Sequence, residues 1–117
     1  MTVQYTDVAQ EQVTAAEVTI YTAPSSATFE SAHIIYANVA NESTSDADLT
    51  INVVQSGGTA AVTNRYIPPR TIFAGGTDPL SPLVGRVLKS GDFIVSIAGT
   101  ASALNLSLGI QEIYTDS

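Results

Sequence analysis

The chain has 117 residues, of which 44% are hydrophobic and only 13% are charged; this length suits one domain with one modest core. Its net charge of −7 argues against nucleic acid or an anionic membrane surface as a partner, because both need clustered Lys and Arg. The absence of cysteine excludes disulfides, Cys-ligated zinc and thiol catalysis.

The first segment, residues 1–12, carries the weakest pattern in the sequence. We predict a loosely ordered arm or a short helical turn there, followed by a β-sandwich domain over residues 13–117. The segment lacks the basic stretch and long apolar run of a secretory signal, and no run of about 18–20 apolar residues occurs anywhere in the sequence. We therefore expect a protein made in the cytoplasm with no membrane partner.

From residue 18 onward the pattern is typical of short β-strands. Thr, Val and Ile are abundant, and apolar residues recur at every second position. The alternation predicts which residues share a face of each strand. In the first two strands one face carries Val18, Ile20 and Thr22, and then Ala32, Ile34 and Tyr36, the latter with His33, Ile35 and Ala37 on the opposite face. In the later strands Leu49, Ile51 and Val53 lie opposite Thr50, Asn52 and Val54, and Leu104, Leu106, Leu108 and Ile110 lie opposite Asn105, Ser107 and Gln111.

The middle of the chain adds further strands with clear interruptions. "AVTNRYI" is a strand candidate, after which Pro68 and Pro69 should stop ladder pairing and form a bulged edge or corner. Residues 83–99, "LVGRVLKSGDFIVSIAG", read as two strands about a tight turn. About eight strands, with turn signals every 8 to 12 residues or so, predict an all-β fold, a single antiparallel β-sandwich or jelly roll.

The turn Lys89-Ser90-Gly91-Asp92 is the stretch that most resembles a chemical site. Adjacent side chains diverge in a strand or tight turn, so Lys89 is poorly placed to act as a base for Ser90. Gly91 suits a positive φ, and Ser90 and Asp92 can bond the backbone of the turn. We interpret the stretch as the corner of a hairpin.

Catalytic and metal-binding patterns are weak in this sequence. His33 lies in mid-strand, where a lone histidine is usually a packing or surface residue, and no serine stands in a nucleophile elbow. Glu42, Asp46 and Asp48 could supply carboxylates to Ca²⁺. They are too few for a calcium loop and do not have its spacing, so we prefer to interpret the segment as a solvated hairpin loop. We expect no catalytic residues, no metal and no cofactor, although the sequence leaves ion binding at these carboxylates open.

Every basic residue falls within residues 65–89, while residues 1–64 carry only acidic ones. If this segment lies on one side of the fold, it forms a basic patch on an acidic body. Such a patch suits docking against an acidic surface of a like or unlike subunit. The candidate interface residues are Arg65, Arg70, Arg86 and Lys89.

Two stretches carry a resemblance to a known group of proteins. They are "TIYTAPSSATFESAHIIYANVANESTSDADLTINVV" and "RYIPPRTIFAGGTDPLSPLVGRVLKSGDFIVSIAG", which include the corner Leu88-Lys89-Ser90-Gly91-Asp92. Over about residues 18–114 the chain resembles small β-sandwich structural proteins of tailed bacteriophages. The resemblance implies a non-enzymatic virion protein, most simply a capsid decoration (cement) protein that binds the major capsid protein or another virion protein as a homo-oligomer, with a trimer favoured.

Two alternatives stay open beside the decoration protein. A tail, neck or fibre-base module would share the same fold, and the short chain favours decoration only slightly. A lectin-like, glycan- or calcium-binding sandwich belongs to another class, and the lack of tryptophan and of a clustered acidic ligand set weighs against it.

Overall fold

The computed structural model describes residues 2–13, 17–98 and 104–115. Within them the chain forms nine β-strands in two antiparallel sheets, which confirms the predicted all-β sandwich. Two single 3-10 turns occur at Val62–Asn64 and Ser81–Leu83. The strands are β1 (Thr2–Val13), β2 (Val18–Thr22), β3 (Phe29–Asn41), β4 (Ala47–Val54), β5 (Arg65–Ile72), β6 (Thr77–Pro79), β7 (Val87–Leu88), β8 (Phe93–Ala98) and β9 (Leu104–Tyr114).

The strand order of the two sheets is that of a jelly roll. Sheet 1 runs β1-β9-β3-β6, and β7 also pairs with β3; sheet 2 runs β2-β8-β4-β5. Strands β6 and β7 pair with different parts of β3, Asn38–Ala40 and Ala32–His33, and therefore share one edge position. With that edge counted once, each sheet has four strand positions. The chain crosses repeatedly from one sheet to the other, as in sandwiches built from two Greek keys.

The hydrophobic core lies between the two sheets. The predicted inward face of β9 is confirmed, since all four of its apolar residues are at most 1% exposed. Sheet 2 supplies the opposing layer. Burying a side chain of this size stabilises the fold by about 1.5–3 kcal/mol. The main residues of the two layers are Leu104, Leu106, Leu108, Ile110 and Ile34 from sheet 1, and Leu49, Ile51, Ile67 and Ile94 from sheet 2.

The prediction of a loose arm or helical turn over residues 1–12 is corrected by β1. This strand pairs with β9 from Thr2, opposite Tyr114, to Val13, opposite Leu104. The side chains of residues 2–5 are all exposed, so the sequence offers no alternation of buried and exposed positions there. Main-chain pairing with β9 makes this segment a strand, and main-chain groups leave no signature in the sequence.

A β-bulge corrects the predicted faces of β3. Ile34 pairs with Ile110 but Tyr36 pairs with Gly109, so one extra residue, Ile35, sits in β3. Beyond the bulge the faces exchange: Ala37 is 6% exposed and Tyr36 is 44% exposed. Continuous alternation had grouped Tyr36 with Ala32 and Ile34 on one face, and Ala37 with His33 and Ile35 on the other.

The proline pair ends neither the strand nor its pairing. Strand β5 continues through Pro68 and Pro69, and only the register shifts between Ile67, opposite Ile51, and Arg70, opposite Leu49. Because β5 is an edge strand, neither proline has to supply a hydrogen bond to a further neighbour. The prediction of a bulged edge is confirmed, and pairing does stop at the two prolines themselves, but it resumes at Arg70.

Candidate protein-interaction site

The four basic residues lie along one open side of the sandwich. Arg65 and Arg70 are in β5, the edge of sheet 2, while Arg86 precedes β7 and Lys89 follows it, at the β6/β7 edge of sheet 1. Contacts join these two edges. The Arg86 guanidinium lies 4.6 Å from the centre of the Tyr66 ring, so the structure brings part of the predicted patch together at the seam between the sheets.

Two of the four basic side chains make internal contacts. Arg70 Nη1 donates to Asp78 Oδ2 at 3.2 Å and so links β5 to β6. Arg86 Nε donates to the carbonyl oxygen of Pro82 at 3.1 Å, in addition to its contact with the Tyr66 ring. Partly exposed contacts of these two kinds contribute up to about 1 kcal/mol each.

The other two basic side chains face solvent. Arg65 and Lys89 are exposed, and within the described residues neither forms a salt bridge. Their charges are therefore available to a partner, whereas Arg70 and Arg86 divide their interactions between the fold and solvent.

The turn Lys89–Asp92 is a structural corner. Asp92 Oδ2 accepts from the Lys89 backbone N–H at 2.8 Å, and Oδ1 accepts from the Ser56 backbone N–H at 3.0 Å. Gly91 has φ +80°, and a Cβ there would lie 2.5 Å from Ser56 Oγ. The hairpin interpretation is wrong in one respect: β7 pairs with β3 in sheet 1, and β8 pairs with β2 and β4 in sheet 2. The turn therefore carries the chain from one sheet to the other.

The acidic loop after β3 is organised by Asn41, which is 1% exposed. Its Nδ2 donates to the carbonyl oxygens of Ser45 and Ile72, both at 2.9 Å, and its Oδ1 accepts from the backbone N–H and hydroxyl of Ser43. The loop connects β3 in sheet 1 to β4 in sheet 2, so it is not the predicted hairpin loop.

The carboxylates proposed for an ion are engaged in this region. Asp46 Oδ1 accepts from the Ala74 backbone N–H, and Asp48 Oδ1 accepts from the Thr71 hydroxyl, both at 2.9 Å. Among the described residues no three His, Asp or Glu side chains come close enough to hold a metal ion.

The lone histidine lies on the outer face of sheet 1. His33 Nε2 is 3.1 Å from Ser31 Oγ, two residues away on the same strand. A Ser–His pair needs a third group to orient the imidazole. In the described part of the chain no carboxylate is hydrogen-bonded to His33, so the pair lacks the arrangement of a nucleophile and its base.

A buried carboxylate is the polar feature that the sequence reasoning missed. Glu112 in β9 is 7% exposed and accepts hydrogen bonds from Tyr21 at 2.5 Å and from Tyr114 at 2.9 Å. Burial and the hydrogen bond to Glu112 raise the pKa of both phenols. Because Tyr21 belongs to sheet 2, its hydrogen bond fastens the two sheets together. The sequence does carry a signal for it, because Glu112 is two residues beyond Ile110 and so falls on the same inward face of β9.

The outer faces of the two sheets differ. On sheet 2, Asn52 Nδ2 donates to the Ala61 carbonyl oxygen at 2.8 Å and to Asn64 Oδ1 at 2.6 Å, so residues 55–64 fold over that face. Asn52 and Val54 are consequently only 3% and 1% exposed.

Among the side chains that the structure describes, sheet 1 presents an exposed and mostly neutral outer face, with Glu42 beside Asn38 and Asn105 at one end; we call it the sheet-1 outer face. One row crosses four of its five strands, β1, β9, β3 and β7, because Tyr5 and His33 both stand opposite Gln111, and His33 stands opposite Val87. Five of the eight large hydrophobic side chains exposed in the described residues belong to this sheet. They are Val3, Tyr5, Ile35, Tyr36 and Val87.

The described residues contain no helix that is long and apolar enough to span a membrane.

Comparison with known proteins reveals the fold. No protein-family model and no curated protein matches the chain. The structure is similar to a chain of the Bacillus endospore appendages, described as disulfide-linked pili, with a TM-score of 0.51 and 20% identity over 99% of this chain and 90% of that one. It is also similar to part of a chain from the T13 IBDV viral particle, with a TM-score of 0.57 and 11% identity over 97% of this chain and 31% of that one. The sandwich thus occurs in subunits of a pilus and of an icosahedral virus particle.

Proposed function

We propose that this chain is a non-enzymatic structural subunit of an assembled particle, and specifically a capsid decoration (cement) protein of a tailed-bacteriophage virion. It is made in the host cytoplasm and binds the major capsid protein or another virion protein as a homo-oligomer. The observation that carries the proposal is the sheet-1 outer face, whose described side chains are exposed and mostly neutral, both polar and apolar. Surfaces of this kind are covered in an assembly.

The hydrogen bonds of the polar residues in the loops and the core support this proposal. Asp92, Asn41 and Asp46 form hydrogen bonds within turns and loops, and Glu112 accepts hydrogen bonds from two internal phenols. An enzyme of this size would need several of these groups to converge on a cleft. Their positions instead indicate a fold that holds its own corners rigid, as a building unit requires.

The structural comparisons support the same class of protein, because pili and viral particles are both built from repeated subunits. One difference from the pilus is chemical. That pilus is described as disulfide-linked, whereas this sequence contains no cysteine. Assembly of this chain therefore depends on non-covalent contacts, and many weak contacts repeated over a lattice give high total affinity.

We assign docking to the basic side of the sandwich, with Arg65 and Lys89 as the side chains free to meet an acidic partner and Arg70 and Arg86 as secondary contributors. A basic patch on a chain of net charge −7 gives the subunit an uneven charge distribution, with its positive charges on one side. Charge complementarity of this kind steers association and fixes orientation more than it adds affinity.

Copy number in purified particles tests the proposal. Quantitative mass spectrometry of virions should find this chain in a number comparable to the major capsid protein. The far lower number typical of a tail component would replace decoration by the alternative of a tail, neck or fibre-base module. Absence from the particles would overturn both.

A further inference from the structure

The four edges of the sandwich are protected unequally. The β5 edge carries Pro68 and Pro69, and the β2 strand is five residues long with a register break between Thr19 and Tyr21. The β6/β7 edge is split into pieces of three and two residues by the intervening chain. Prolines, short strands and interruptions are the usual means of preventing edge-to-edge pairing.

Strand β1 has none of these protections over its first half. Its pairing with β9 is continuous from Thr2, opposite Tyr114, to Val8, opposite Leu108, and the register breaks only after Val8. Residues 2–6 contain no proline, glycine or charged residue. Along residues 3–6 the outer side of this strand presents main-chain N–H and C=O groups with which none of the described strands pairs. This is the template that an added strand requires.

The side chains of this segment suit a covered surface. Val3 is 39% exposed and Tyr5 is 72% exposed, and both stand on the sheet-1 outer face. Gln111 Nε2 donates to the Tyr5 hydroxyl at 3.3 Å, which ties the ring to the neighbouring strand. A strand added beside β1 would shield both side chains and extend the sheet-1 outer face across the junction.

We infer that β1 pairs antiparallel with β1 of a second copy of this chain about a two-fold axis. The inference deepens the proposed function and rests on it. The proposed homo-oligomer makes a second copy the occupant, and residues 2–6 keep charged side chains out of the contact between two chains of net charge −7. A two-fold contact also places identical, self-complementary strands together. The two sheets then form one continuous sheet of two chains.

Cysteine scanning provides the test, because the native chain has no cysteine. Val3→Cys, Gln4→Cys and Tyr5→Cys are made singly and oxidised. About a two-fold axis only the residue nearest the axis faces itself. The copies of a residue two positions away lie about 13 Å apart along the strands, beyond the roughly 7 Å reach of a disulfide. We expect cross-linking to peak sharply at one position, with Val62→Cys, on the β4–β5 loop and 72% exposed, as the matched control.

A second variant measures the interaction without a cross-link. Tyr5→Lys places like charges beside the axis and should shift the dimer–monomer midpoint in sedimentation at least about tenfold toward monomer, while Val62→Lys should leave it unchanged. Because Tyr5 is exposed, the melting temperature of Tyr5→Lys should stay near that of the native chain.

The outcomes separate the two proposals. If the chain assembles but cross-links equally at all sites or not at all in β1, or forms trimers that Tyr5→Lys leaves intact, the β1 pairing is overturned and the proposed function stands. Pairing of β1 with a strand of a different protein would also overturn it and would appear as a hetero-cross-link. If the chain is absent from particles while purified β1 dimers persist, the proposed function fails and the pairing stands.

Discussion

The ring of Tyr36 lies over Gly109 on the neighbouring strand, where the register sets the two residues opposite each other. A Cβ at position 109 would overlap Cδ1 and Cε1 of that ring. Glycine is poor in a strand interior, because it leaves backbone uncovered. The Tyr36 ring supplies the missing cover, and the bulge at Ile35 is what turns Tyr36 onto this face.

We expect Gly109→Ala to destabilise the fold by about 1–2 kcal/mol, because the new methyl group displaces the ring. In a Tyr36→Ala background the same substitution should cost far less, since the space is then open. A double-mutant cycle in urea unfolding measures the coupling. Equal costs of Gly109→Ala in the two backgrounds would show that the ring does not restrict position 109.

Alkaline pH should weaken the fold through the tyrosines bound to Glu112. Their pKa values are raised in the folded state, so the unfolded chain loses these protons first, near pH 10. Stability is therefore complete below about pH 10 and falls as pH rises further, through Tyr21 more than through Tyr114, whose phenol lies closer to solvent. Urea unfolding from pH 7 to 11 measures this slope.

The phenylalanine variant isolates the contribution of Tyr21. Tyr21→Phe should cost about 1.5–3 kcal/mol at pH 7, because it removes a hydrogen bond to a charged, buried acceptor. It should also make the alkaline slope shallower, and Tyr21→Phe with Tyr114→Phe shallower still. A slope identical to that of the native chain would exclude Tyr21 as a source of the pH dependence.

The core contains a polar group without a partner. Ser96 is 1% exposed, and its hydroxyl has no hydrogen-bond partner among the described residues. Since a buried unpaired hydroxyl costs free energy, Ser96→Ala should leave stability unchanged or raise it by about 1 kcal/mol. Ser43→Ala is the matched control and should lower stability by about 1 kcal/mol, because the Ser43 hydroxyl donates to Asn41 Oδ1 at 2.8 Å. Chemical denaturation of both variants gives the comparison, and a clear loss in Ser96→Ala would contradict the assignment.

Charge reversal should separate docking from stability on the basic side. Arg65→Glu and Lys89→Glu should weaken binding to purified shells that lack the chain, with an unchanged melting temperature. Arg70→Glu should lower both, because the new carboxylate would face Asp78 and cost about 1 kcal/mol of stability. Shell co-sedimentation and thermal unfolding report the two effects. Undiminished binding by Arg65→Glu and Lys89→Glu together would remove these residues from the interface.

The predictable part of the fold was the part in which burial alternates. Leu104 to Ile110 and Leu49 to Ile51 show period two in the sequence and line the core in the structure. The same alternation extended to position 112 predicts an inward side chain, and Glu112 is indeed buried, although a charged residue is rare at an inward position. Its partner Tyr21 comes from a distant strand, and no local pattern indicates that pairing.

The parts that were not predictable depend on the backbone or on the other sheet. Strand β1 is held by pairing to β9, and its described side chains are exposed. The bulge at Ile35 changes the parity of β3 without any glycine or proline to mark it. The clustering of the four basic residues in the sequence indicated that they lie on one side of the fold. Only the structure shows that Arg70 and Arg86 make internal contacts whereas Arg65 and Lys89 face solvent.

The position of β9 has a consequence for the order in which the protein can form. Strand β9 lies between β1 and β3, yet it follows them by most of the length of the chain. During synthesis β1 emerges first and has no strand of sheet 1 to pair with until residues 104–114 leave the ribosome, while β3 can pair only with the short strands β6 and β7 before then. The centre of sheet 1 therefore forms last, as expected for a topology dominated by distant pairings. Until then the nascent chain holds several unpaired strands, which makes rapid completion of translation a condition for avoiding aggregation.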